Sequence, residues 1–153
     1  MSLVGSAAPA FTLSDHARQK VSLEGLLGKK VVLAFYPAAF TGGCEKEVCT
    51  FRDSLASLNE LNAVVLGIST DAPFSNAAFA AKNNLNFPLL SDPSHSTVHA
   101  YDVYMNDFAG VTGLTVAKRS VFIVDERGVV TYEWVGANPG IEPDYEAIKA
   151  AHA

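Results

Sequence analysis

Two continuous apolar runs constrain this chain more than any other feature: Lys30-Val-Val-Leu-Ala-Phe-Tyr36 and Ala63-Val-Val-Leu-Gly-Ile-Ser69. A strand with one face in water alternates apolar and polar residues, so unbroken runs of this length predict strands covered on both faces. Pro37 ends the first run, and a loop of small residues follows from Ala38 to Gly43. Beyond it Cys44, Val48, Phe51, Leu55 and Leu58 recur at steps of four and three, the spacing of one helical face, with Glu45, Lys46, Arg52 and Asp53 off that stripe. The order is strand, helix, strand.

Other segments extend the alternation. Phe11-Thr-Leu predicts a short strand, Asp71-Ala-Pro73 a capped helix running to Asn83, and Asp92-Pro93 a short helix toward Tyr101. Met105 to Thr115, with two glycines and no clear period, predicts a loop. Ser120 to Val124, the turn Asp125-Glu-Arg-Gly128 and Val129 to Val135 form a hairpin pattern, and Pro143 to Ala151 a closing helix. The expected architecture is α/β, with a mixed central sheet flanked by helices. No repeat or Pro/Gly-rich linker divides the 153 residues, which predicts a single domain over 1–153.

Composition narrows the function. With 49% hydrophobic and 18% charged residues the chain can bury a core without help from metal or disulfides. The net charge of −5 argues against binding a phosphate backbone, so nucleic acid is not an expected partner. Val31 to Cys44 is too short, and too broken by Pro37, Gly42 and Gly43, to cross a bilayer. Met1 to Phe11 lacks the pattern of a secretory signal, so a cytoplasmic location is the expectation.

Cys44 and Cys49 are the only cysteines, too few for a disulfide scaffold and consistent with a reducing compartment, where paired thiols are redox-active or metal-binding. Thr41 stands at an N-cap position, placing Gly42, Gly43 and Cys44 in the first helical turn. There the positive end of the helix dipole favours a thiolate, the nucleophilic form; Glu45 and Glu47 oppose it, so a nearby cation would help. The plainer alternative makes Cys44 a small core residue on an apolar stripe. The pair is not C-x-x-C, and five residues along an ideal helix separate Cα atoms by about 8.7 Å, against the roughly 4.4–6.8 Å of a disulfide. A bond between them would require unwinding.

Zinc is disfavoured: His95 and His99 stand far from the cysteine pair, and His95-Ser-Thr-Val-His99 lacks the glutamate of H-E-x-x-H. His16 and His152 read as surface residues. Neither G-x-G-x-x-G after a strand nor G-x-x-x-x-G-K-[ST] occurs, and G-x-S-x-G is absent, so no cofactor is expected and the simplest serine-hydrolase proposal falls away. On position alone Arg119, at the head of the run Ser120 to Val124, reads as a solvated strand terminator.

The segment Pro37-Ala-Ala-Phe-Thr41-Gly-Gly-Cys44 resembles the P-x-x-x-T-x-x-C motif of peroxiredoxins, thiol peroxidases built on an elaborated thioredoxin-like fold. Arg119-Ser-Val-Phe-Ile-Val-Asp125-Glu-Arg-Gly128 is similar to the strand and turn bearing that family's active-site arginine, and Gly5 to Leu13 also matches. The resemblance implies that Cys44 is the peroxidatic cysteine, Thr41 the hydroxyl that orients the peroxide and Pro37 the shield of the thiolate. It makes Arg119 the guanidinium that favours thiolate and substrate oxygen, and Glu47 a residue that orients an arginine. Cys49 matches the resolving cysteine of the Q type, also called bacterioferritin comigratory proteins. Gly42 stands where many Q-type members carry proline, and Ala38-Ala-Phe40 leans toward a related one-cysteine-like group.

The implied reaction reduces hydrogen peroxide and organic hydroperoxides through a sulfenic acid, closes a Cys44–Cys49 disulfide and draws on a thioredoxin-like or other dithiol protein. A monomer or homodimer without metal or flavin would suffice. Two alternatives stay open: a one-cysteine peroxidase in which Cys49 is structural, and a non-enzymatic interaction module with inert thiols.

Overall fold

The computed structural model describes residues 2–40, 46, 48–50, 53, 63–138, 141 and 143–152. In chain order the strands are β1 (Thr12–Asp15), β2 (Lys20–Ser22), β3 (Lys30–Phe35), β4 (Ala63–Ser69), β5 (Leu89–Ser91), β6 (Tyr104–Met105), β7 (Val116–Ala117), β8 (Ser120–Val124) and β9 (Val130–Val135). Helices cover Pro73–Lys82, Ser96–Ala100 and Tyr145–His152, and positions 46, 48–50 and 53 are also helical. Among the described residues seven strands join in one sheet, ordered β2-β1-β5-β4-β3-β8-β9, while β6 pairs with β7 separately. Within the large sheet β3, β4 and β5 run parallel, and β8 lies antiparallel against β3. The sheet is mixed, as its sequence pattern predicts.

Both apolar runs are central strands, and period-two alternation sends their side chains into two separate cores. Val32, Ala34 and Tyr36 join Ala63, Val65, Val121 and Ile123 on one face, closed by Phe79 and Ala80 of the Pro73–Lys82 helix and Ile148 of the last helix. Val31, Leu33 and Phe35 join Leu66, Ile68, Phe122 and Val124 on the other, under Phe11, Val98, Tyr101 and Val103. Burial on both faces is why neither run alternates in polarity. Gly67 interrupts the second run because a Cβ there would lie 2.6 Å from Leu89 Cδ2 and 3.4 Å from the Tyr36 ring, so the first core has no room for one. Val48, on the predicted helical stripe, is buried in that core; Cys44, Phe51, Leu55 and Leu58 lie outside the described residues.

Several segments depart from the sequence pattern. β2 and β5 are three residues each, too short to show a period, and exist through pairing: β5 lies between β4 and β1. The Pro73–Lys82 helix has Ala72 at its N-cap and no side-chain cap, so Asp71 does not serve there. The N-cap of the Ser96–Ala100 helix is His95, and Asp92, three residues before it, meets the first turn: its carboxylate accepts from the N–H groups of Thr97 at 3.1 Å and Val98 at 2.9 Å. His16 is half-buried rather than superficial, and its Nδ1 accepts the Leu89 N–H at 3.2 Å.

Candidate active site

Because β3 and β4 are parallel, their C-terminal ends emerge on the same side of the sheet, the side on which open α/β sheets bind ligands. The antiparallel β8 starts where β3 finishes: Phe35 pairs with Ile68 of β4 and with Ser120 of β8. Topology therefore brings Pro37, two residues past β3, to the same edge as Arg119, one residue before β8. Pro37 is buried. Thr41 and Cys44 lie outside the described residues, and the loop that leads to them is described as far as Phe40.

Arg119 is not a solvated terminator. Only 3% of it is exposed, and a guanidinium is kept from water at a large desolvation cost unless anionic or hydrogen-bonding partners meet it. Its backbone is fixed on both sides. The Lys118 N–H donates to the Val103 carbonyl, the Ser120 hydroxyl donates to the Lys118 carbonyl at 3.0 Å, and the Gly136 N–H donates to the Arg119 carbonyl at 2.8 Å. Gly136 allows that approach, since a Cβ there would meet the Trp134 ring at 3.1 Å and the Arg119 carbonyl at 3.3 Å. Arg119 lines a cleft of about 540 Å³ with Met105, Lys118, Val135, Gly136, Ala137 and Asn138. A buried cation beside a partly apolar cleft can bind an oxygen that bears or develops negative charge.

The loop after β3 is held by the connection that follows the neighbouring strand β4 and by the Pro73–Lys82 helix. Ala39 N–H donates to Asp71 Oδ2 at 2.8 Å. Phe40 takes φ 66°, an uncommon left-handed conformation for an aromatic residue. Its ring lies 5.2 Å from that of Phe79, and Lys82 Nζ sits 5.6 Å from its centroid. Cys49 is a half-buried thiol outside any disulfide, and its Sγ donates to Asn83 Oδ1 at 3.3 Å. The Asn83 amide nitrogen donates in turn to the Phe79 carbonyl at 3.0 Å. One helix end thus holds both the loop and the second cysteine. Sequence pattern gives Asp71 and Asn83 only as the two ends of a helix, although Ser69-Thr-Asp71 at the C-terminal end of a buried parallel strand is a signal for the first.

Known proteins are similar to this chain in sequence and in fold. Residues 4–133 match the AhpC/TSA family. A putative peroxiredoxin bcp from Haemophilus influenzae is 44% identical over 128 residues, 83% of this chain and 82% of that one. The crystal structure of peroxidoxin BcpB from Mycobacterium tuberculosis superposes with a TM-score of 0.87 at 30% identity, covering 99% of this chain and 97% of the other. A Xanthomonas campestris bacterioferritin comigratory protein, whose structures concern its alkyl peroxide reduction activity, gives 0.82 at 27% identity over 93% and 89% of the two chains.

Proposed function

The chain belongs to the AhpC/TSA family of peroxiredoxins, with their thioredoxin-like fold, and from that premise we propose that Cys44 is its peroxidatic residue and Cys49 its resolving one. The observation that carries the reading is the burial of Arg119 at the edge where β3 delivers the Pro37-x-x-x-Thr41-x-x-Cys44 segment. In the proposed cycle the Cys44 thiolate attacks one oxygen of the peroxide, the O–O bond breaks, and the leaving oxygen takes a proton to depart as water or alcohol. Cys44 is left as a sulfenic acid. Arg119 stabilises the charge that moves onto the leaving oxygen, Thr41 orients the peroxide and Pro37 shields the thiolate.

Cys49 then attacks the Cys44 sulfur. The S–O bond breaks, water leaves, and an intrachain disulfide remains. A thioredoxin-like dithiol protein takes up the oxidising equivalents, becoming a disulfide as both cysteines return to thiols. Organic hydroperoxides fit because the cleft beside Arg119 has Met105 and Val135 in its wall, and because the Xanthomonas relative reduces alkyl peroxides. A cytoplasmic setting belongs to the same proposal, since a thiol cycle of this kind needs a reducing supply. Among the described residues no helix is long and apolar enough to cross a membrane.

One observation favours a second reading. Cys49 is half-buried and hydrogen-bonded to Asn83, as a structural cysteine would be, which suits a one-cysteine cycle reduced directly by external thiol. Replacing Cys44 by serine tests what both readings share: a hydroxyl is not ionised at neutral pH, so peroxide consumption should vanish. Substantial remaining consumption would refute the assignment.

A further inference from the structure

Beneath the loop that leaves β3, the otherwise apolar core holds a continuous chain of polar side chains. Tyr36 Oη donates to Asn76 Oδ1 at 2.7 Å. The Asn76 amide nitrogen donates to Ser69 Oγ at 3.3 Å and Ser91 Oγ at 3.1 Å. Ser69 Oγ donates to Asp71 Oδ2 at 2.9 Å, the same oxygen that accepts the Ala39 N–H at 2.8 Å. Tyr36, Asn76 and Ser69 are fully buried and Ser91 nearly so. The Ser69 hydroxyl has a second acceptor in Asn76 Oδ1 at 3.4 Å, and Asp71 Oδ2 is the shorter of the two contacts and carries a charge.

The two ends of this chain grip one short segment. Tyr36 and Ala39 flank Pro37, so the loop is tied to β4, β5 and the Pro73–Lys82 helix just before the residues that carry the chemistry. Hydrocarbon side chains would fill the same space without the cost of burying polar atoms; a satisfied network adds a unique geometry. Asp71 makes the point sharply. It stands two residues before a helix that has no side-chain cap, yet its carboxylate faces the Ala39 amide, 32 positions away in sequence. Phe40, directly after the tethered amide, adopts φ 66°, a conformation that persists when its surroundings over-determine it.

We propose that Asp71, held in place by the Ser69–Asn76–Tyr36 chain, is a positioning residue for the peroxide reaction: by fixing the Ala39 amide it sets the path of the loop that presents Cys44. The inference rests on Cys44 being the peroxidatic residue. A misplacement on the order of 1 Å at a reacting group costs up to roughly a hundredfold in rate, so the loss of one tether is a measurable event.

Two rates on reduced, folded protein provide the test: consumption of hydrogen peroxide, and alkylation of Cys44 by iodoacetamide followed by peptide mass. Alkylation needs only an accessible thiolate; the peroxide reaction also needs the thiolate in register with the groups that stabilise the breaking O–O bond. Asp71→Ala should slow the peroxide reaction by about ten- to a hundredfold and alkylation far less. Asp71→Asn, whose amide oxygen can still accept the Ala39 N–H, should recover most of the peroxide rate. Should Asp71→Ala not yield folded protein, Ser69→Ala takes its place, since it frees the carboxylate without opening a large cavity; its loss should be smaller and equally selective for peroxide. A wild-type peroxide rate in Asp71→Ala, or in Ser69→Ala as its substitute, overturns the proposal. Equal slowing of both reactions, or no recovery in Asp71→Asn, does so as well. Peroxide reduction by Cys44→Ser would instead overturn the reading beneath it, whatever the Asp71 variants do.

Discussion

The two faces of the central sheet differ in what fills them. Under Val31, Leu33 and Phe35 the core is hydrocarbon and aromatic: Phe35 meets Tyr101 at 5.4 Å and Phe122 at 5.7 Å, and Tyr101 meets Phe122 edge-on at 5.1 Å. The lone phenol in that cluster turns its hydroxyl outward to donate to the Pro9 carbonyl at 2.8 Å. Under Val32, Ala34 and Tyr36 a comparable apolar packing is threaded by Tyr36, Asn76, Ser69 and Ser91, which continue to Asp71 and the loop after β3. The first face holds the fold, and its loss would cost stability. The second also fixes the direction in which β3 delivers its loop, so damage there should register in the rate as well.

Three substitutions would break or sharpen that contrast. Phe122→Ala removes a fully buried ring from the aromatic face, and chemical denaturation should show a loss of about 3–5 kcal/mol, with the peroxide rate of the folded fraction unchanged. A fall in that rate would mean the faces are not separable. Arg119→Ala acts at the site: stopped-flow kinetics should show a barrier raised by about 2–4 kcal/mol, by analogy with the loss of one donor to a developing oxyanion. An unchanged rate would reduce Arg119 to a packing residue.

Tyr101→Phe is the mildest. It removes the bond to Pro9 and should cost about 1 kcal/mol near neutral pH. Burial pushes the Tyr101 phenol above its ordinary value. The folded state thus favours the neutral form. Its contribution is complete below about pH 10, where the unfolded phenol ionises, and is lost as the pH rises beyond it. Urea titrations from neutral to alkaline pH should therefore show a shallower alkaline decline in Tyr101→Phe than in wild type. An identical decline would remove Tyr101 from the account.

The central strands were legible because every residue of Val31–Phe35 and Ser120–Val124 is buried, on both faces of the sheet. Thr41 and Cys44 were picked out by an N-cap position, a second cysteine and the resemblance of Pro37-x-x-x-Thr41-x-x-Cys44 to a family motif, and both lie outside the described residues. What pattern could not reveal was decided by tertiary contact. β5 is three residues long and is a strand because β4 and β1 flank it. Asp71 followed the local rule for a helix cap, and the Ala39 amide outcompeted the helix for its carboxylate. On position alone Arg119 read as an exposed strand end, and only the family resemblance gave it a role, because nothing in its sequence neighbours announces that Gly136 bonds its carbonyl while Val103 and Ser120 fix Lys118 beside it. Asn83 reaches Cys49 across the fold, a pairing that no periodicity encodes.

Intact mass after one equivalent of hydrogen peroxide tests the proposed cycle most directly. If Cys44 is oxidised and Cys49 resolves it within the chain, the wild-type protein should lose two hydrogens, Cys49→Ser should gain one oxygen, and Cys44→Ser should be unchanged. A wild-type chain that gains one oxygen and keeps it, or one whose mass does not move, would contradict the account.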